Sequence, residues 1–289
     1  MKNILFYKYS HIGDTKGFRD SQFELCKKLN LLGTLLIADE GINGCLSGTD
    51  KEVEEYKSAI KKISNFYGIE FKESDAKNHT FRRLSVRVRK EIVTSNFDVD
   101  IGNAADYISP KDLKKVIDNG EDIVLIDARN SYESKIGKFK NAVAPKIRTF
   151  RQFKSQIECL KKYKNKRVVT YCTGGIRCEK ASALLRESGF SDVLQLHGGI
   201  LNYGKECGNA HWEGKCFVFD SRGAVDIDPN NQAELISQCA KCNLPSADYH
   251  NCSLAKCDKR FIACQNCFEI LEGCCTKMCR NELRKSNLS

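Results

Sequence analysis

The sequence predicts an α/β protein in three parts, and three observations support this. Short apolar runs of strand length alternate with amphipathic runs of helix length through most of the chain. A length of 289 residues accommodates about two domains at roughly 150 residues each. Nine of the 16 cysteines crowd into residues 239–279, which sets that segment apart. Composition narrows the class further. With 41% hydrophobic residues and four prolines the chain is not disordered, and no run of about 18 apolar residues could span a bilayer. The start, MKNILFYKYSHIGD, turns polar by Lys8 and has no small-residue cleavage site, so a cytoplasmic location is expected. In a reducing compartment, cysteines in this number point to metal ligands or catalytic thiols. The formal charge of +10 fits either a nucleic-acid partner or ordinary solubility charge.

Residues 1–95 form the first part. NILFYKY is strand-like, and a helix follows around Leu25, Cys26 and Leu29, closing near Gly33; TLLIA is a buried strand. Thr49 and Glu52 stand at capping-box spacing before a helix whose face carries Val53, Tyr56, Ile60 and Ile63. With IEFKES and RLSVRVR the order becomes ferredoxin-like, a possible RNA-binding domain. In FRRLSVRVRK, alternation puts Leu84, Val86 and Val88 on one face and Arg83, Arg87 and Arg89 on the other. The arginine stripe fits a solvated face or a phosphate-tracking surface.

Residues 96–106 lack periodicity and read as a linker before a domain over 107–225. Ser109 caps a helix with Pro110 at its first position, Leu113, Val116 and Ile117 on its apolar face and Gly120 as its stop. DIVLIDAR, KRVVTYC and VLQLHGG are strands separated by helical or loop sequence, which implies a parallel sheet covered on both faces. Such sheets bind ligands beyond the carboxyl ends of their strands, where Cys172 falls. Thr173, Gly174, Gly175 and Ile176 lead from Cys172 to Arg177 and into a helix through CEKASALLRESG. A thiol beside a helix amino terminus and a cation drops in pKa and becomes nucleophilic.

The last part, 226–289, is defined by its cysteines. Cys239 and Cys242 form one C-x-x-C and Cys264 and Cys267 another, the signature of a structural zinc site. A second ion would draw on Cys252, Cys257, Cys274 or Cys275, and Cys279, with His250 as a substitute ligand; redox thiols without metal are the other reading.

IDARNSYE, CTGGIR and LHGGI together resemble a rhodanese domain, over about residues 105 to 220. Rhodanese-fold phosphatases place five residues between cysteine and arginine, whereas four separate Cys172 from Arg177, a cradle suited to a small sulfur adduct rather than to phosphate. Taken with LNYG, WEGKCFVFDSR and the preceding ferredoxin-like part, YCTGGIRCEKAS is similar to the tRNA uridine hydroxylase family across essentially the whole chain. The resemblance implies oxygen-dependent formation of 5-hydroxyuridine at the tRNA wobble position, with the anticodon arm as partner and molecular oxygen as co-substrate. It makes Cys172 the principal catalytic thiol, with Cys178 as a second functional thiol or a packing residue. Asp127 and Arg129 match the rhodanese D-x-R element and brace the loop, while Lys138 stands where many rhodanese domains carry histidine. His197 reads as structural, although it could face the site. The alternatives are a persulfide-carrying sulfurtransferase and a non-catalytic RNA-binding scaffold. No flavin, haem or iron motif is visible, and the oligomeric state is left open.

Overall fold

The computed structural model describes residues 1–286. The amino-terminal part runs β1 (Lys2–Tyr9), α1 (Thr15–Lys28), β2 (Leu32–Ala38), β3 (Gly41–Gly48), α2 (Asp50–Lys61), β4 (Phe71–Asp75) and β5 (Leu84–Val88). Its sheet has the order β4-β1-β3-β2-β5. The first four strands have ferredoxin-like order, and β5 is added parallel to β2 at the edge. The central β3, GINGCLSG, was not expected as a strand, because its glycines and Asn43 carry turn signals. Those glycines are steric necessities: a Cβ on Gly44 would stand 2.4 Å from the Phe6 ring and 2.5 Å from Leu35. The capping box at Thr49 and Glu52 is formed, with Val53, Tyr56 and Ile60 buried. Ile63 lies beyond the end of α2 and is exposed. Gly33 does not close α1; it sits within β2, and Asn30, at φ 51°, makes the turn instead.

The second part contains β6 (Asp106–Ile108), α3 (Pro110–Asp118), β7 (Ile123–Asp127), α4 (Ser131–Ile136), β8 (Gly137–Phe139), α5 (Ile157–Leu160), β9 (Arg167–Tyr171), α6 (Ile176–Glu187), β10 (Asp192–Leu196) and α7 (Gly199–Cys207). The sheet order is β6-β10-β9-β7, every pair parallel. Two apolar clusters fill its faces, one around Phe150, Phe153 and Leu185, the other around Phe139, Tyr171 and Tyr203. The stretch 96–106 is packed, not free: Phe97 and Ala105 join the first cluster. Short strands follow, β11 (Trp212–Gly214) on β8, then β12 (Cys216–Phe217) with β13 (Ala224–Val225). The cysteine-rich part is a hairpin of β14 (Tyr249–Asn251) and β15 (Arg260–Ile262) with two helices, α8 (Gln265–Ile270) and α9 (Lys277–Ser286).

The two α/β parts meet face to face. Along β1, Ile4 and Phe6 enter the core shared with α1 and α2, so alternation aims Leu5, Tyr7 and Tyr9 the other way. That face lies on the Cys172 loop: a Cβ on Gly174 would be 2.5 Å from Leu5, and one on Gly175 would be 2.9 Å from the Tyr7 hydroxyl.

Candidate active site and metal-binding clusters

Cys172 follows the last residue of β9 and is completely buried. The chain turns through Gly175, whose φ of 103° favours glycine, and enters α6 at Ile176. The turn aims the Gly175 amide at Cys172 Sγ, 3.1 Å away. The later glycine pair supports the loop from behind. A Cβ on Gly199 would lie 2.5 Å from the Cys172 carbonyl and 2.8 Å from the Gly175 nitrogen, so only glycine fits there. The first amides of α7 then hold the loop, Ile200 donating to the Cys172 carbonyl and Leu201 to that of Thr173, at 2.9 and 3.1 Å.

Burial by itself would push the Cys172 thiol up. A hydrogen bond from the Cys178 thiol, the charge of Arg177 and the amides of Arg177 and Gly175 outweigh it and lower its pKa to about 6. Burial and the hydrogen bond to its neighbour hold Cys178 well above the ordinary thiol range. The pair therefore shares one proton, with Cys172 the thiolate and Cys178 the donor. Arg177 is fixed by Glu133 of α4 in a buried two-point pair at 2.6 and 2.8 Å. Asp127 and Arg129 form a second two-point pair, at 2.9 and 2.6 Å, and Arg129 also donates to the Gly137 carbonyl. These contacts brace the turn after β7. Lys138 lies on β8 opposite Glu213, and His197 Nε2 lies 3.1 Å from Glu70 of the amino-terminal part.

Little in the sequence marks the next two residues of α6, Glu179 and Lys180. Both are buried. Glu179 accepts from Tyr7, Tyr107 and Gln195 at 2.8, 2.6 and 2.9 Å. Lys180 reaches Glu40 at 2.9 Å and Glu91 at 2.8 Å, both from the amino-terminal part. The only available signal was two adjacent charges in a helix otherwise rich in alanine and leucine.

Arg83, Arg87 and Arg89 are exposed and line a depression of about 340 Å³ with Thr34, Leu36 and Ser85. They share the sheet face that carries Leu5 and Tyr7, because Leu84 and Val86 pack towards the helices.

In the tail the thiols form two groups, Cys239, Cys242, Cys264 and Cys267, and Cys252, Cys257, Cys275 and Cys279, each with all sulfurs within 4.8 Å of one another. Sulfur separations are 3.7 Å for Cys242 to Cys264, 3.6 Å for Cys257 to Cys275 and 3.8 Å for Cys275 to Cys279. Four thiolates about 2.3 Å from a tetrahedral ion stand about 3.8 Å apart, so both groups could hold a metal ion. Cys274 is buried outside the two groups, and His250 is engaged elsewhere, with Nε2 3.0 Å from the Ala263 carbonyl and its ring stacked on Phe268.

Comparison with known proteins matches a UPF0176 acylphosphatase-like domain to residues 1–92, a rhodanese-like domain to 109–206 and a rhodanese carboxy-terminal region to 213–280. A tRNA uridine(34) hydroxylase of Cytophaga hutchinsonii is 42% identical over 279 residues, 96% of this chain and 89% of that one. The proteins of the same name from Chlamydia felis and Bacillus licheniformis are 38% and 40% identical over 99% and 97% of this chain, and over 89% of each of theirs. Full-length likeness at this identity, on a chain that joins the acylphosphatase-like and rhodanese-like domains, places this protein in the tRNA uridine(34) hydroxylase family.

Proposed function

We propose that the protein hydroxylates the wobble uridine of tRNA at carbon 5, using molecular oxygen and the Cys172 loop. The observation that carries this reading is the Cys172–Cys178 pair, a thiolate with a thiol donor beside it. Cys172 adds to carbon 6 of the uracil, which makes carbon 5 electron-rich; carbon 5 takes one oxygen atom, and loss of its proton expels the sulfur. The second oxygen atom leaves as water, which needs two electrons and two protons. The pair supplies both electrons by closing to a disulfide, the Cys178 thiol gives one proton and solvent the other, so one uridine, one oxygen molecule, a thiolate, a thiol and a proton become 5-hydroxyuridine, water and a disulfide. Arg177 keeps the sulfur ionised, and the Asp127–Arg129 pair keeps the loop in shape. The arginine stripe along β5, with Arg83 and Arg89 flanking the strand, tracks the phosphates of the anticodon arm. Zinc is the metal that the all-thiolate sets of the tail favour, as two structural ions, in a cytoplasmic enzyme.

Nucleosides from tRNA incubated with the protein, in air and without oxygen, test the reading by mass spectrometry. 5-Hydroxyuridine is expected in air alone, from wild type and not from Cys172→Ser. Thiosulfate-dependent labelling of the protein that survives Cys178→Ser, with no 5-hydroxyuridine formed, would turn the assignment to sulfur transfer. The names of the relatives do not favour that alternative.

A further inference from the structure

On the β4 side of the Cys172 loop, between the two α/β parts, lies a cleft of about 280 Å³. Tyr7 walls it off from the loop, its hydroxyl close against Gly175 and donating to Glu179 Oε1 at 2.8 Å. Tyr107 is 52% exposed, donates to the same oxygen at 2.6 Å and meets the His197 ring edge-on at 5.1 Å. Lys72 Nζ stands 4.9 Å over the Tyr7 ring, and Lys8 adds a second cation, with one donor spent on the Tyr67 carbonyl.

We infer that this cleft seats the target uridine, with Tyr107 stacking on the base and Lys72 facing its phosphate. The inference rests on the hydroxylase reading and names where its substrate binds. An exposed aromatic ring beside a cation is how proteins hold a splayed-out nucleotide. Burial draws the Lys72 ammonium down from its ordinary value, the cost of keeping a cation in the cleft. Entry of the base displaces Tyr7 from Glu179, and that same movement uncovers the Cys172 loop.

Two measurements on the full-length protein test the seat. An anticodon stem-loop with 5-iodouridine at the wobble position should photocrosslink to Tyr107 or His197. Tyr107→Ala should raise KM for tRNA about tenfold or more, as loss of a stacking ring does, while Tyr107→Phe stays within about threefold. Crosslinks confined to residues 81–89 or Phe219, or an unchanged KM in Tyr107→Ala, would overturn the assignment. A cleft crosslink on a wild-type protein that forms no 5-hydroxyuridine would leave the seat standing and refute the hydroxylase reading instead.

Discussion

Cys172 combines two properties that oppose each other, complete burial and an acidic thiol. Burial penalises the thiolate, so the anion exists only because the Cys178 thiol, Arg177 and two backbone amides point at it. Because its folded pKa lies below the ordinary thiol value of about 8.5, the thiolate predominates above the lower value and is lost as pH falls through it. Alkylation at Cys172, followed by peptide mass spectrometry, should rise with pH about a midpoint near 6 and level off by neutrality. Cys178→Ala removes the thiol donor and should move the midpoint upward; an unchanged midpoint would show that the second thiol does not tune the first. The loop residues were legible in sequence because their logic is local: a strand end, two glycines, an arginine and a helix start within a dozen positions. Glu133, the partner that fixes Arg177, was not legible, because only the fold brings α4 beside α6.

Helix α6 does more than start at the thiol loop. Through Glu179 and Lys180 it fastens the amino-terminal sheet over Cys172, with Tyr7, Glu40 and Glu91 on the far side. Lys180 is buried against two partly exposed carboxylates; screened pairs of this kind contribute about 1 kcal/mol, about a fivefold factor in an opening equilibrium. Lys180→Ala should therefore speed alkylation of Cys172 about fivefold at neutral pH. An unchanged rate, with the protein folded by circular dichroism, would mean that the pair does not restrain opening. Elements whose signal is periodic were legible, among them α2 with its capping box and α3 with Ser109 and Pro110. The central strand β3 was not, because close packing against Phe6 and Leu35 demands the glycines that elsewhere mark turns. The cleft is the extreme case: Tyr7, Lys72, Tyr107 and His197 lie on separate stretches of chain, and no local pattern announces their convergence.

Across the whole molecule, the cysteine-rich part is joined to the Cys172 loop by a short relay. Arg260 donates to the Tyr132 hydroxyl at 2.8 Å, and Tyr249 stacks on the Tyr132 ring at 5.1 Å. Tyr132 precedes Glu133 on α4, and Glu133 holds Arg177. Among small domains held by all-thiolate zinc sites the metal contributes on the order of 10–16 kcal/mol, so a chelator should unfold the tail. Limited proteolysis is expected to cut between residues 239 and 286 while residues 1–225 stay intact, and 5-hydroxyuridine formation should fall as α4 loses its support. Full resistance to protease after chelation would contradict a metal-held tail. In the proposed reaction Cys172 directs an oxygen atom from the gas onto uridine. Incubating tRNA with the full-length protein under isotopically heavy oxygen in ordinary water tests this step. The expected product is 5-hydroxyuridine carrying the heavy isotope, abolished in Cys172→Ser; unlabelled product, or labelled product undiminished in that variant, would overturn the assignment.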